Sequence, residues 1–315
     1  MPLACRLTPP MKTKLVVILG PTGVGKSEVA IDSALEVGGE VVNADSQLVY
    51  RHMDVGTAKP PLAARKGVPH HLIDIVDPDE DFNAARYREL AHGAIGDATA
   101  RGKKPIVCGG SGLYLRALLQ GIFVGPGKDK AIRERLEREA DASGLGALHA
   151  RLREIDADAA LRIHPNDRHR IVRALEVYES TGKTITQWQE EHGFQERAFD
   201  VFKIGLNRER KVLYELIDQR TDEMIAAGLV AEVERLLEQG YGLDLPTLQS
   251  VGYRQIGLFL RGEVALEEAI GLIKRDSHHL AKRQLTWFRA DKEIRWYDMD
   301  RESEKIVPAV KEFLQ

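Results

Sequence analysis

Residues Gly20, Pro21, Thr22, Gly23, Val24, Gly25, Lys26 and Ser27 match G-x-x-x-x-G-K-[ST] at every fixed position. Glycines in such a loop let backbone N–H groups turn inward around phosphate oxygens, and a helix starting at Lys26 adds its positive end. Lys26 supplies a point charge, and the Ser27 hydroxyl is a ligand type that Mg²⁺ accepts. All eight residues are therefore expected to hold a diphosphate, with Ser27 as the metal ligand. The common meaning of the pattern is ATP binding. A nucleotide-hydrolysing site also wants an acid closing a neighbouring strand. The candidate strand Pro105–Cys108 runs instead into Gly109-Gly110-Ser111, and the substitutes Asp74 and Asp77 are poorly placed. The loop says diphosphate and metal more directly than it says ATP.

A second candidate is Asp45, just after the short apolar run Glu40–Asn43. In an open α/β sheet the carboxyl ends of strands face the ligand crevice. A carboxylate there is a possible general base, and equally a turn or helix-capping acid. Ser111 follows a strand in Gly109-Gly110-Ser111-Gly112. Its glycines suit close approach of a ligand, and its hydroxyl suits either a catalytic partner or an ordinary N-cap.

Two basic stretches complete the chemistry. Arg162–Arg173 reads RIHPNDRHRIVR, and Lys274–Arg289 reads KRDSHHLAKRQLTWFR. Cations interleaved with aromatics suit RNA, where phosphates need charge and unstacked bases need planar surfaces. Either stretch alone reads as well as a solvated helix face.

These residues need elements to carry them. Lys14–Leu19 reads as a buried strand and Lys26–Val37 as a helix; Glu40–Asn43, His71–Val76 and Pro105–Cys108 read as further strands, with a helix over Ala84–Arg101. Strands alternating with helices predict a parallel α/β sheet. Gly125-Pro126-Gly127 breaks the pattern, and only helices follow: Ala131–Ala142, Leu145–Glu154 and Asp167–Glu179. A strand at Phe199–Leu206 returns the chain to the sheet. A long helix over Arg208–Gln239 bent at Gly228, a helix over Ala265–Ala290, a strand at Ile294–Tyr297 and a C-terminal helix follow. The expected division is a core of residues 1–120 and 200–315 with an all-helical insertion at 121–199.

Composition narrows the class. Lys and Arg total 45 against 48 Asp and Glu, so bulk charge offers no support for nucleic-acid binding, though a local basic face would suffice. No apolar run approaches the ~20 residues that span a bilayer. The first fourteen residues lack the apolar segment of a secretory signal and read as a frayed tail. Two cysteines, Cys5 and Cys108, exclude a disulfide framework and a Cys-rich zinc site, which points to the cytoplasm.

Taken together, GPTGVGKS (Gly20–Ser27), ADSQLVYRHMDVGTAKP (Ala44–Pro60), HHLID (His70–Asp74), GGSGLY (Gly109–Tyr114), RIHPNDRHRIVRALEVY (Arg162–Tyr178), SVGYRQ (Ser250–Gln255) and AKRQLTWFR (Ala281–Arg289) resemble the bacterial tRNA dimethylallyltransferases, or tRNA isopentenyltransferases. The resemblance implies a P-loop NTPase-like sheet with a helical insertion that grips tRNA. It implies transfer of a dimethylallyl group from dimethylallyl diphosphate to the exocyclic amine of the adenine 3′ to the anticodon, in tRNAs reading codons that begin with U. It further implies Mg²⁺, an anticodon stem-loop partner, a monomer and no membrane. By the same resemblance Asp45 is the general base, Ser111 orients the base or amine, and Arg220 clamps the leaving diphosphate. Contacts to tRNA would come from Asp45, Ser46, Gln47, Leu48 and Ser111. The insertion would add Arg133, His169, Arg170, Ile171, Val172 and Arg173. Others would be Gln249, Ser250, Val251, Gly252, Tyr253 and Arg254, and, on the last basic stretch, Lys282, Arg283, Gln284, Trp287 and Arg289. Position 111 is Ser where many relatives have Thr, which keeps the hydroxyl. The Cys/His finger of eukaryotic relatives has no counterpart here. The competing readings are an isopentenyltransferase for free adenine nucleotides, an ATP-dependent small-molecule kinase and a tRNA-binding module without catalysis.

Overall fold

Six short segments build one sheet in the computed structural model, which describes residues 12–122, 127, 129–193 and 198–315. The break at Gly125-Pro126-Gly127 falls outside these residues except for Gly127, as do Cys5 and most of the N-terminal tail. The first strand is β1 (Thr13–Leu19), followed by α1 (Lys26–Val37), β2 (Gly39–Asn43), β3 (His70–His71), α2 (Ala84–Ala100), β4 (Lys104–Gly109) and α3 (Gly112–Gln120). Then come α4 (Lys130–Ser143), α5 (Leu145–Ile155), α6 (Ala157–Arg162), α7 (Arg168–Thr181) and α8 (Ile185–His192). The chain re-enters the sheet as β5 (Phe199–Asn207) and continues through α9 (Arg210–Ala226), α10 (Leu229–Glu238), α11 (Tyr253–Leu260), α12 (Leu266–Arg289), β6 (Arg295–Asp298) and α13 (Ile306–Leu314).

The sheet order is β3-β2-β4-β1-β5-β6, and every pairing is parallel. Parallel sheets bury both faces, which is why the central strands β1 and β4 read as continuous apolar runs rather than alternating ones. Val16, Ile18, Ile106, Ile204 and Leu206 of the strands pack in one core with Val29, Ala30 and Ala34 of α1 and with Ile306, Val310 and Leu314 of α13. The fold is α/β, a P-loop-like parallel sheet flanked by helices.

Two compact units make up the chain: residues 1–119 with 197–315, and residues 120–196. The second is helical throughout its described elements, with its own core of Leu136, Leu148, Leu152, Ile171 and Leu175.

Two expected elements differ. The strand expected over His71–Val76 pairs only at its first position, in a β3 that begins one residue earlier at His70, because Leu72 (φ 62°) and Asp74 (φ 58°) adopt left-handed backbone that no strand continues through. Of the remainder, Val76 touches Tyr50 by an isolated bridge. The single bent helix expected over Arg208–Gln239 is two helices, since Gly228 (φ 96°) starts α10 afresh after α9 has ended.

Candidate active site

The carboxyl ends of β1, β4 and β2 lie side by side, and each delivers one piece of the site. The loop after β1 turns into α1 through Gly25 in left-handed conformation (φ 102°), so α1 directs its N-terminus at the loop. Lys26 Nζ donates to Pro21 O at 2.7 Å. Burial of this ammonium pushes its pKa down to about 8; the nearby Asp45 carboxylate opposes the shift and Arg220 adds to it.

The end of β2 is framed by Asn43. Its amide donates to Asp45 O (3.0 Å) and Leu72 O (2.9 Å), and its carbonyl accepts from Asp45 N–H (2.9 Å). Asp45 Oδ1 accepts from Gln47 N–H at 2.9 Å, an Asx turn. One oxygen thus serves the turn. Among the described residues nothing donates to Oδ2, and Asp45 lines the cavity. The turn role is therefore compatible with a chemical role on the same side chain.

At the end of β4, Ser111 Oγ accepts from Ser46 N–H at 2.9 Å, while Ser111 N–H donates to Ala44 O at 3.1 Å. The hydroxyl acts across to the β2 loop rather than on the first turn of α3, and its own proton stays available. Gln284 on α12 joins the neighbouring loops: its Oε1 accepts from Thr22 N–H (2.8 Å) and its Nε2 donates to Gly110 O (3.0 Å). Gly110 is needed for this closeness, because a Cβ there would sit 2.4 Å from Gln284 Nε2.

From α9, Arg220 donates to Thr57 O at 3.3 Å, and among the described residues its buried Nε has no partner. Burial works against its charge and Asp45 supports it. An enclosed guanidinium with spare donors and, among the described residues, no carboxylate in contact is suited to an anion that arrives from outside. Thr22, Asp45, Ser111 and Arg220 share one cavity of about 550 Å³ with Thr57 and Arg283. Ile217, Met224, Ile273 and Leu280 give it an apolar wall.

The sequence signature of the IPP transferase family matches residues 48–291. The chain belongs to the IPP transferase family. It is similar to the tRNA dimethylallyltransferase of Syntrophobacter fumaroxidans, 52% identical over 90% of this chain and 83% of that one. The tRNA dimethylallyltransferase of Geobacter metallireducens is 49% identical over 96% and 98% of the two chains. Among solved structures, the full-length tRNA isopentenylpyrophosphate transferase of Bacillus halodurans superposes with a TM-score of 0.71 at 40% identity, over 96% of this chain and 97% of that one. A eukaryotic dimethylallyltransferase acting on tRNA gives 0.81 at 29% identity, over 95% and 79%.

Within this IPP transferase the expected contact residues separate into four groups. Ser46, Gln47, Gln249, Ser250, Arg254 and Arg283 line the cavity, as do Val251, Gly252 and Gln284. Outside it, His169, Arg170, Lys282, Trp287 and Arg289 are exposed, and Leu48 is half-buried. Three residues are corrected: Ile171 (0% exposed), Val172 (1%) and Tyr253 (0%) are core side chains and present no surface to RNA. Helical spacing explains this, since Ile171, Val172 and Leu175 form the inward face of α7. Arg133 and Arg173 are spoken for by Glu176, a fully buried carboxylate 2.7 Å and 3.2 Å from them. Neither acid considered as a closing residue is free: Asp74 binds Lys59 and Asp77 binds Arg51.

The residues present suit a magnesium ion of the phosphate-borne kind. Among the described residues no cluster of three His, Cys, Asp or Glu side chains forms a protein cage. Mg²⁺ on a diphosphate needs only one or two protein oxygens besides the phosphates. Ser27 is exposed on the first turn of α1, with its hydroxyl uncommitted among the described residues, although it stands outside the cavity lining.

Sequence reading missed Thr57, Asn43 and Glu232. Glu232 carried a usable signal: an acid spaced with Leu229, Val233 and Leu236 lies on the apolar face of its helix.

Proposed function

We propose that this chain transfers a dimethylallyl group from dimethylallyl diphosphate to the exocyclic amine of the adenine 3′ to the anticodon, in tRNAs reading codons that begin with U. The observation that carries the reading is the sharing of one cavity by Asp45, Ser111 and Arg220 with the phosphate loop's Thr22. A bond forms from the adenine N6 to the allylic carbon while that carbon's bond to diphosphate oxygen breaks, and the electron pair leaves with the diphosphate. The N6 proton passes to Asp45 as the new bond forms, because the free amine is too weak an acid to lose it first. Ser111, anchored by Ser46, orients the amine or Asp45. The phosphate loop, Lys26 and Arg220 hold the diphosphate and stabilise the charge that develops on it. Ser27 would hold Mg²⁺, which when bound neutralises diphosphate charge. The apolar wall suits the prenyl tail.

The target adenine leaves the anticodon-loop stack to reach the cavity. Arg283, with Lys282 and Trp287 beyond it on α12, and Arg170 with His169 on α7 are the RNA-facing groups in this reading. The helical unit grips the anticodon stem-loop. The enzyme acts as a monomer in the cytoplasm, where its tRNA substrate is, and no described helix is long and apolar enough to cross a membrane.

The decisive assay offers labelled dimethylallyl diphosphate to tRNA, AMP and ATP together. Label is expected in tRNA alone; label in AMP, or none in tRNA, overturns the reading.

Two further outcomes are expected. Arg170→Ala and Arg283→Ala each weaken tRNA binding and reduce the slope of log affinity against log salt by about 1, as loss of one phosphate contact does. Titrations from low to moderate salt check this, and unchanged slopes would make both arginines solvated surface. The second outcome concerns pH. Lys26 holds diphosphate in its charged form, and its pKa of about 8 in the free enzyme is lowered by burial. Its contribution is therefore present below pH 8 and lost as pH rises through 8. The loss should appear in kcat/KM for the donor and not in kcat, because bound diphosphate keeps the lysine protonated. A donor kcat/KM that stays flat from pH 7 to about 9.5 would remove Lys26 from that role.

A further inference from the structure

Glu232 is 2% exposed on α10, and among the described residues its four hydrogen-bond partners are all neutral donors. Oε2 accepts from Asp54 N–H (2.9 Å) and Val55 N–H (2.7 Å). Oε1 accepts from Gly56 N–H (3.0 Å) and Tyr253 O–H (2.6 Å). Three consecutive backbone N–H groups turned to one side form a nest that ordinarily receives an external anion. Here the chain fills the nest with its own carboxylate.

The turn so gathered leads straight into the cavity. Gly56 and Thr57 line it, and the Thr57 carbonyl carries Arg220 Nη2. Thr57 Oγ1 donates back to Met53 O at 2.7 Å, closing the turn on itself. Gly56 lies so near the Tyr253 ring that a Cβ would come within 2.6 Å of it, so the turn cannot move toward α11. Neither can it move away without stripping donors from Glu232. Burying a carboxylate without a cation is costly, and for stability alone an apolar side chain would often serve as well. What the carboxylate supplies is direction: it fixes three peptide planes in sequence, and with them the next carbonyl.

We infer that Glu232 is a positioning residue for the leaving-group side of the site, setting the 54–57 turn and, through the Thr57 carbonyl, the guanidinium of Arg220. This rests on the reading that Arg220 acts on the diphosphate. Glu232 itself touches no substrate.

The test is a double-mutant cycle on the full chain. Glu232→Gln places an amide N–H against backbone donors, so kcat should fall roughly tenfold to hundredfold, while KM for tRNA stays within about threefold. In an Arg220→Ala background the same substitution should lower kcat by less than about threefold further, because the group it positions is gone. Equal losses in both backgrounds, or a rise in KM for tRNA at unchanged kcat, overturn the inference. Should Glu232→Gln fail to fold, Tyr253→Phe removes one donor from the same carboxylate. It should lower kcat a few-fold only while Arg220 is present. Calorimetric binding of inorganic diphosphate separates this inference from the functional reading. If the unaltered chain fails to label tRNA, yet Glu232→Gln weakens diphosphate binding only when Arg220 is present, the reading falls and the positioning role stands.

Discussion

Asp45→Ala is expected to lower the rate of prenyl transfer by about 10²- to 10⁴-fold, the range over which a positioned general base contributes. Binding of tRNA should stay within a few-fold, because the cationic groups are untouched. Alanine also removes the acceptor for Gln47 N–H, so Asp45→Asn is the sharper companion. The asparagine carbonyl keeps that turn, but the side chain takes no proton. Both variants should show this loss, and single-turnover transfer with saturating tRNA reads the chemical step directly. Full turnover by Asp45→Asn would assign the residue to the turn alone. Ser111 bears on the same result, since its oxygen holds Ser46 N–H one residue away.

Arg220→Ala should cost about 10²- to 10³-fold in kcat, comparable to removing one donor from a developing anion elsewhere. An allylic carbon tolerates a loose transition state, so charge accumulates on the diphosphate before the new bond is well formed. Stabilisation of that charge then dominates the barrier. The geometry suits that role, because among the described residues the Nε of Arg220 is buried without a partner and Thr57 O is the one acceptor for the guanidinium. Lysine at this position restores a point charge without the planar fork and should recover only part of the loss. Steady-state kinetics with varied dimethylallyl diphosphate check it; an alanine variant with unchanged kcat would leave the leaving group to Lys26 and the loop.

Much of this site could be read before any coordinates. The run Lys14–Leu19, the G-x-x-x-x-G-K-S spacing and the helix behind it are local patterns, and they appear as β1, the loop and α1. Other features depend on distant chain and were not legible. A motif carries identity without orientation, so it does not tell that Ile171 and Val172 face the core of the helical unit while Arg170 beside them faces water; only the helical spacing with Leu175 does. Tyr253 was hidden for a related reason. Its segment reads as a polar contact strip, yet it starts α11 and buries its ring against Gly56. Arg133 and Arg173 look like free cations until Glu176 is seen between them. Glu232 and Gln284 act on backbone groups far away in sequence, and no spacing rule reports that.

The bridge made by Gln284 also has a meaning in time. It ties Thr22 to a residue 262 positions later in the chain. At a synthesis rate of about 5–20 residues per second, the phosphate loop waits roughly 10 to 50 seconds for its tie. Over that interval α1 and β1 are complete, but the loop is held on one side only. A chain still on the ribosome thus carries its most recognisable stretch of sequence without the site that stretch belongs to.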